Sequence, residues 1–543
     1  MTGSPASSLA SDRTRRERGG GAARRGDREA GRNASARRGW RAEVAWLVLS
    51  TALACGAVAM LAQSDRAWLL FYDGDSVLPT LVAGSLQSGQ AQDWIFSPVL
   101  FFPELAVYLA VGALGLGIHP TILIVAVVNL LLVSACLRLA VRIVLPDLSP
   151  PVQVAGSLLG FGTLAVFVCL DRTRSHNDLE LASLVTTSTY YASTVVALLV
   201  TLALVAALAD AEGRRVVVLA VVLGLLAAGA VLVNPLYALW SVAPVVAAAG
   251  TLVLAGREHL RRAAGIAASL IVGCAAGLLG RVPFSGLTGG TAQTYLHSTP
   301  WRAIRFYGGR VLQRLAGTSG WIAVALYAAC LASVVALLLW SRRTGRPAAL
   351  ALSATVVATL VITPAWNLTG VNLAARYLQP ILFATLPVAA CVAALALARI
   401  DGVLARALPL TAGVTAVGVL AASGLAVASA ARTAMVDDSV DCVVEWVDAS
   451  GRAGAGTFWT IRPIKAYLVD PSRLVQVRTD FRPHAWLVNS SDYDVPVSFV
   501  VTTTGEKPSI PDALATGPSV TIDCGRYTIT DYAPRTYTVT VSR

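Results

Sequence analysis

The stretch VVVLAVVLGLLAAGAVLV, Val216–Val233, carries no charged side chain, and it decides the class of fold. A helix needs ~20 predominantly apolar residues to cross the hydrocarbon core of a bilayer. Alanine, leucine, valine and glycine suit helices that pack against one another in lipid. Comparable runs recur roughly at 44–62, 120–145, 152–170, 190–209, 216–233, 237–255, 263–280, 319–340, 348–364, 377–398 and 408–430. They predict an α-helical polytopic membrane protein of about 11 spans. The 543 residues are 55% hydrophobic and only 14% charged, against about 25% charged in soluble domains.

The remaining charge sorts by side. Arg138 and Arg142, Arg214 and Arg215, Arg257 with Arg261 and Arg262, Arg342 with Arg343 and Arg346, and Arg399 with Arg406 all fall in alternate connectors. So does the tail, residues 1–41, with 11 Arg against 4 Asp plus Glu. Cytoplasmic loops carry the arginine excess, so this side is expected to be cytoplasmic. The tail is polar and glycine-rich and is expected to be disordered. Its charge would also suit nucleic acid, but orientation alone requires it, and no nucleic-acid partner is expected. A cleaved secretory leader is not expected either, because the apolar stretch that follows is long and lacks a small-residue cleavage site. Arg outnumbers Lys 41 to 2, a bias that suggests a GC-rich bacterial genome of the actinobacterial kind, and hence a bacterial plasma membrane.

Segments 63–119, 171–189, 281–318, 365–376 and 431–543 then lie on the external face. Residues 101–118 are apolar enough to span but contain Pro103 and Glu104 and end at His119-Pro120. If they crossed, every later loop would invert and the arginines would lie outside. They are therefore read as a helix in the interface or a re-entrant one, with twelve spans as the alternative. The chain divides into the tail, a membrane domain over 42–432 with its first external loop at 63–119, and an external β-rich domain over 433–543.

In that last domain β-formers alternate, as in Val497-Ser498-Phe499-Val500-Val501-Thr502, with turn residues between the runs. Cys442 and Cys524 are its only cysteines, and an oxidising exterior would let them form a disulfide. Trp446, Trp459, Trp486 and Tyr493 could stack on sugars, but core packing or a place at the interface explains them equally well.

No phosphate-binding glycine loop, no H-E-x-x-H and no Cys/His metal cluster occurs. This disfavours an ATP-driven pump and an enzyme using a soluble nucleotide donor. The external loops, in contrast, gather polar residues. Asp73, Asp75, Asp93 and Glu104 lie in the first, and Asp171, Arg172, Arg174, His176, Asn177, Asp178 and Glu180 in the second. Arg281, Tyr295, His297, Arg302, Arg305, Tyr307 and Arg310 lie in the third, and Trp366, Asn367, Asn372, Arg376 and Tyr377 in the fourth. Acids can take a proton from an acceptor hydroxyl, and arginines can hold a phosphate leaving group. Asp73 and Asp75 flank Gly74 in an apolar-aromatic setting, Leu69-Leu70-Phe71-Tyr72 before them and Val77-Leu78 after. A glycine frees the turn, so both carboxylates could face one cavity.

The acids in a long first loop, the interfacial helix, the many spans and the external C-terminal domain together resemble the GT-C superfamily of integral membrane glycosyltransferases. Arg376-Tyr377-Leu378-Gln379-Pro380 is similar to the Arg-Tyr-x-x-Pro element of several members. The resemblance implies sugar transfer from a polyprenyl-phosphate or polyprenyl-diphosphate carrier to an envelope glycan or protein on the outer face. It also implies a first-loop acid, Asp73 or Asp75, as catalytic base or as ligand of a divalent metal (Mg or Mn). Glu104, His297, Arg302, Arg305, Arg376 and Tyr377 would then bind substrate. The Asp-Gly-Asp spacing departs from the adjacent acid pair of many members, so which acid acts stays open. Two other readings remain: an envelope scaffold that displays its C-terminal domain, and a transporter or lipid flippase with Asn234-Pro235 as a helix break.

Overall fold

The computed structural model describes residues 39–255, 260–289, 299–369, 373–433 and 437–541. Residues 1–38 of the expected tail lie outside this set, as do Tyr295, His297 and Asn372.

Nine helices among the described residues are long and apolar enough to cross a membrane, from Gly39–Ala62 to the continuous run Ala375–Thr415. At 41 residues that run is about twice one crossing. It tightens into a 3₁₀ turn at Ala398–Ile400, after which helix Asp401–Thr433 begins. All eleven expected spans therefore fall on helices; the other shorter one opens on a wide π-helical turn, Ala238–Val242, and continues as Ala243–Ala255. Helix Phe102–Gly112 has 11 residues, about 17 Å at 1.5 Å per residue. That is too short for a ~30 Å hydrocarbon core, so the twelve-span alternative has no helix to supply its extra crossing.

Small residues set how closely the helices approach. A Cβ on Gly156 would lie 2.5 Å from that of Ala394, and one on Gly160 would lie 2.7 Å from that of Ala390. Helices Pro150–Leu170 and Thr385–Leu397 thus meet almost backbone to backbone, the small-residue packing used where lipid removes the hydrophobic drive.

The C-terminal region contains the expected sheet, in the strand order Leu474–Val477, Ala453–Thr457, Pro496–Thr503, Tyr527–Asp531, Val520–Cys524. The first three pair in parallel and the last two antiparallel. Parallel neighbours need a crossover, and helix Phe458–Lys465 provides it. A second helix, Asp438–Ser450, buries Val440, Val443 and Val447 at helical spacing. Neither helix was expected from a reading tuned to alternation. Cys442 on that helix is bonded to Cys524 at the end of a strand, with Cα atoms 5.6 Å apart.

The loop over 63–119 is joined to this region rather than merely close to it. Trp94–Ile95 pairs antiparallel with Val488–Asn489. The Asn489 side chain donates to the Ala91 carbonyl at 2.6 Å.

Candidate active site

The turn after the short helix Ala67–Phe71 carries both acids, and they point different ways. Asp73 is fully buried. Its Oδ1 accepts from the Tyr190 hydroxyl at 2.8 Å and from the backbone N–H of Asp75 at 3.0 Å. His176 Nδ1 stands 3.4 Å from its Oδ2. Burial opposes the Asp73 charge, but His176 and the Tyr190 hydroxyl more than offset this, and the carboxyl is held below its ordinary range.

Asp75 faces a cavity of ≈ 470 Å³ whose wall also carries Arg376, Tyr377, Tyr191, Trp366 and Trp486. Its Oδ2 lies 3.3 Å from Arg376 Nη1. Burial pushes the Asp75 carboxyl above the ordinary range; Arg376 pulls it down, and the Asp73 charge adds to the rise. The expectation that both carboxylates share the cavity is therefore corrected: Asp75 lines it and Asp73 supports the turn from behind. Gly74 is needed for a reason other than a free turn. A Cβ there would lie 3.0 Å from Phe458 Cε1 and 3.1 Å from Trp459 Cε3.

Arg376 belongs to the 3₁₀ turn Ala375–Leu378, which leads directly into helix Gln379–Phe383 with Pro380 in its first turn. Its guanidinium lies over the rings of Tyr190 at 5.5 Å and Tyr377 at 5.7 Å. Gln379 fastens the turn by donating to the carbonyls of Tyr190 and Arg376, at 3.1 and 3.0 Å.

The second loop is held by a buried cation. Arg66 donates to the carbonyls of Thr173, Ser175 and Glu180 and to the Ser183 hydroxyl. Glu180 accepts from the backbone N–H groups of Arg172 and Thr173 and pairs with Arg314, which also meets Asp171. The locked loop delivers His176 beside Asp73. The C-terminal region closes the other side. Trp459 stacks on His176 at 5.3 Å, and Arg462 Nε donates to the Gly74 carbonyl at 2.5 Å.

No family model matches the chain, and no curated protein matches it. In three dimensions it is similar to ArnT from Cupriavidus metallidurans, a structure solved bound to undecaprenyl phosphate. The TM-score is 0.53 and the identity 15%, over 90% of this chain and 98% of that one. An oligosaccharyltransferase from Archaeoglobus fulgidus, solved with zinc and sulfate, gives a TM-score of 0.45 and 11% identity over 83% of this chain and 68% of that one. This chain shares the fold of ArnT.

Within this fold the expected site residues separate into three groups. Asp73, Asp75, Arg376 and Tyr377 come together. Glu104 does not join them: its Oε1 accepts from the Ser193 hydroxyl at 2.5 Å and the Ser193 N–H at 3.2 Å, capping helix Ala192–Asp210. Arg302 and Arg305 are exposed on helix Pro300–Leu315, where Arg305 lies over Trp301, and neither lines the cavity. His176, Tyr190 and Arg462 were not singled out as site residues, and Trp486 was read as suited either to sugar stacking or to core packing. Only the loop polarity hinted at His176, and nothing local in the sequence marks Arg462.

Both acids of the turn already have partners. Donors occupy Asp73 Oδ1, and a guanidinium faces Asp75. Among the described residues no three His, Cys, Asp or Glu side chains converge.

Proposed function

We propose that this chain is a membrane glycosyltransferase that moves a sugar from a polyprenyl-phosphate carrier to a cell-envelope acceptor on the external face. The observation that carries this reading is Asp75 beside Arg376 on the wall of one largely apolar cavity. The undecaprenyl phosphate held by ArnT supports the choice of carrier. The arginine bias of the connectors supports a cytoplasmic N-terminus and an external C-terminal domain in the plasma membrane.

In this mechanism the carrier phosphate takes Asp75's place on Arg376, whose guanidinium can grip two phosphate oxygens at once. Asp75, released, accepts the proton of the acceptor hydroxyl. That oxygen attacks the anomeric carbon, the bond from this carbon to the phosphate oxygen breaks, and polyprenyl phosphate departs with the electron pair. A single displacement of this kind inverts the anomeric centre. A positioned base contributes about 10²–10⁴-fold to such a step. Asp73 acts by holding the turn, through Asp75's own N–H. No step needs a metal.

The test uses the purified chain in lipid nanodiscs, a labelled synthetic polyprenyl-phosphate sugar and isolated envelope glycan. Label should pass to the glycan, and Arg376→Lys should fold normally yet use the donor at least ~10-fold less well, because Lys cannot form the paired contact. Undiminished donor use by that variant would remove Arg376 from the phosphate site.

A further inference from the structure

Five residues other than glycine have positive φ among the described residues, and three of them line the cavity that holds Asp75 and Arg376: Phe101 (φ 54°), Tyr191 (φ 70°) and Leu487 (φ 51°). They come from the first loop, the start of helix Ala192–Asp210 and the C-terminal region. Bulky side chains avoid this backbone region because Cβ crowds the neighbouring carbonyl. Such strain survives only where the surroundings over-determine it, and it collects at ligand sites.

Leu487 shows how it is imposed. Its carbonyl accepts from Arg462, the same guanidinium that holds the Gly74 carbonyl. The carbonyl of Trp486, one residue earlier, accepts from Gln476 Nε2 at 2.8 Å. Arg462 and Gln476 are both 1% exposed. One residue later, Val488 enters the pairing with Ile95. With both carbonyls pinned and the following strand paired, the side chains of Trp486 and Leu487 form cavity wall.

We propose that Trp486, held against the cavity by the left-handed Leu487, is the surface on which the carrier's sugar packs and so selects which sugar is transferred. This rests on the reading of Asp75 and Arg376 given above. In that reading the sugar must lie between the two, because its anomeric carbon is one oxygen away from the phosphate and is the atom the acceptor attacks. Arg376 and Asp75 serve those two reacting ends. The rest of the ring meets the remaining wall, where an indole offers a wide, rigid face to the C–H side of a pyranose or furanose. The C-terminal region would thus supply sugar specificity to a reaction centre built by the membrane domain.

Binding without turnover separates this from a structural role. The full chain in nanodiscs is titrated with bare polyprenyl phosphate and with the same lipid carrying glucose, galactose, mannose or arabinose. Trp486→Ala should weaken its preferred sugar-loaded lipid about 10-fold, flatten the ranking among sugars and leave the bare lipid within about twofold. Trp486→Phe should recover most of the loss. Leu487→Gly, which accepts the same backbone without strain but gives up a buried side chain, should melt below the wild type, remain folded at the assay temperature and lose the ranking. Equal weakening of bare and loaded lipid, or an unchanged ranking in either the Trp486→Ala or the Leu487→Gly protein, overturns the proposal. Arg376→Lys should weaken bare and loaded lipids alike. If it weakens neither, the phosphate assignment fails, while the difference between the two lipids still judges Trp486. Wild-type protein that binds neither lipid would overturn both.

Discussion

Arg462 Nε donates to the carbonyl oxygen of Gly74 at 2.5 Å, joining residues 388 positions apart in the chain. The guanidinium also lies 4.8 Å from the Phe458 ring centroid. Burial lowers its pKa to about 10, with Asp75 and Asp73 pulling the other way, so it stays charged at neutral pH. The turn bearing the acids is therefore fixed by a cation from the C-terminal region as well as by its own hydrogen bonds.

The two acids should fail differently. Asp75→Asn keeps the shape of a cavity side chain and removes most of its basicity, so transfer should fall about 10²–10⁴-fold with an unchanged melting temperature. Asp73→Asn removes the charge that faces His176 and accepts from Tyr190. It should lower the melting temperature as well as the rate. Parallel transfer assays and thermal melts decide, and wild-type turnover by Asp75→Asn would dismiss it as the base.

Gly74 should tolerate little. Gly74→Ala puts a Cβ against Phe458 and Trp459 at 3.0 and 3.1 Å, and overpacking of this kind costs about 1–3 kcal/mol. Both stability and transfer should drop. Gly309→Ala, whose Cβ meets nothing within 4 Å on helix Pro300–Leu315, is the control and should be neutral or slightly stabilising. Equal behaviour of the two variants would mean the clamp on Gly74 is loose.

The pH profile carries a sign. Asp75 must be ionised to accept a proton, and its pKa is raised by burial and by Asp73. The acid limb of kcat/KM, which reports the free enzyme, should lie above the ordinary carboxylate value of about 4. Stability moves oppositely: a raised carboxyl pKa favours the folded state at low pH, and this contribution is lost as pH rises through that pKa. A limb at or below the ordinary value would assign the base elsewhere.

Orientation can be read by labelling in cells. Ser509 is exposed on the C-terminal region, and Thr344 is exposed at the end of helix Thr318–Thr344 next to Arg342 and Arg343. Ser509→Cys should react with an impermeant reagent in intact cells, and Thr344→Cys only after permeabilisation. The reverse pattern would invert the topology.

What could be read from sequence follows from what is periodic or local. Apolar length marks every membrane helix, and Pro103 with Glu104 marks the helix that does not cross. Asp75, Arg376 and Tyr377 were legible because polar groups beside lipid are costly without a purpose. Direction was not legible. Glu104 and Asp75 sit in the same loop, yet one caps a helix and the other meets the cavity. Arg302 and Arg305 have the charge for a phosphate but lie on an outward face. Strands Trp94–Ile95 and Val488–Asn489 are two residues each, too short to show alternation. The contacts of Arg462 and Trp486 with the site depend on that pairing.

The hydrogen bond between Arg462 and Gly74 also sets a timetable. Ribosomes add roughly 5–20 residues per second, so the acids emerge roughly 20–80 s before the cation that completes their turn. Once Tyr377 has been added, the nascent chain holds the cavity residues from Asp75 to Tyr377 while Trp486, Leu487 and Arg462 are still unmade. Completion of the turn that carries Asp75 is thus tied to synthesis of the last region.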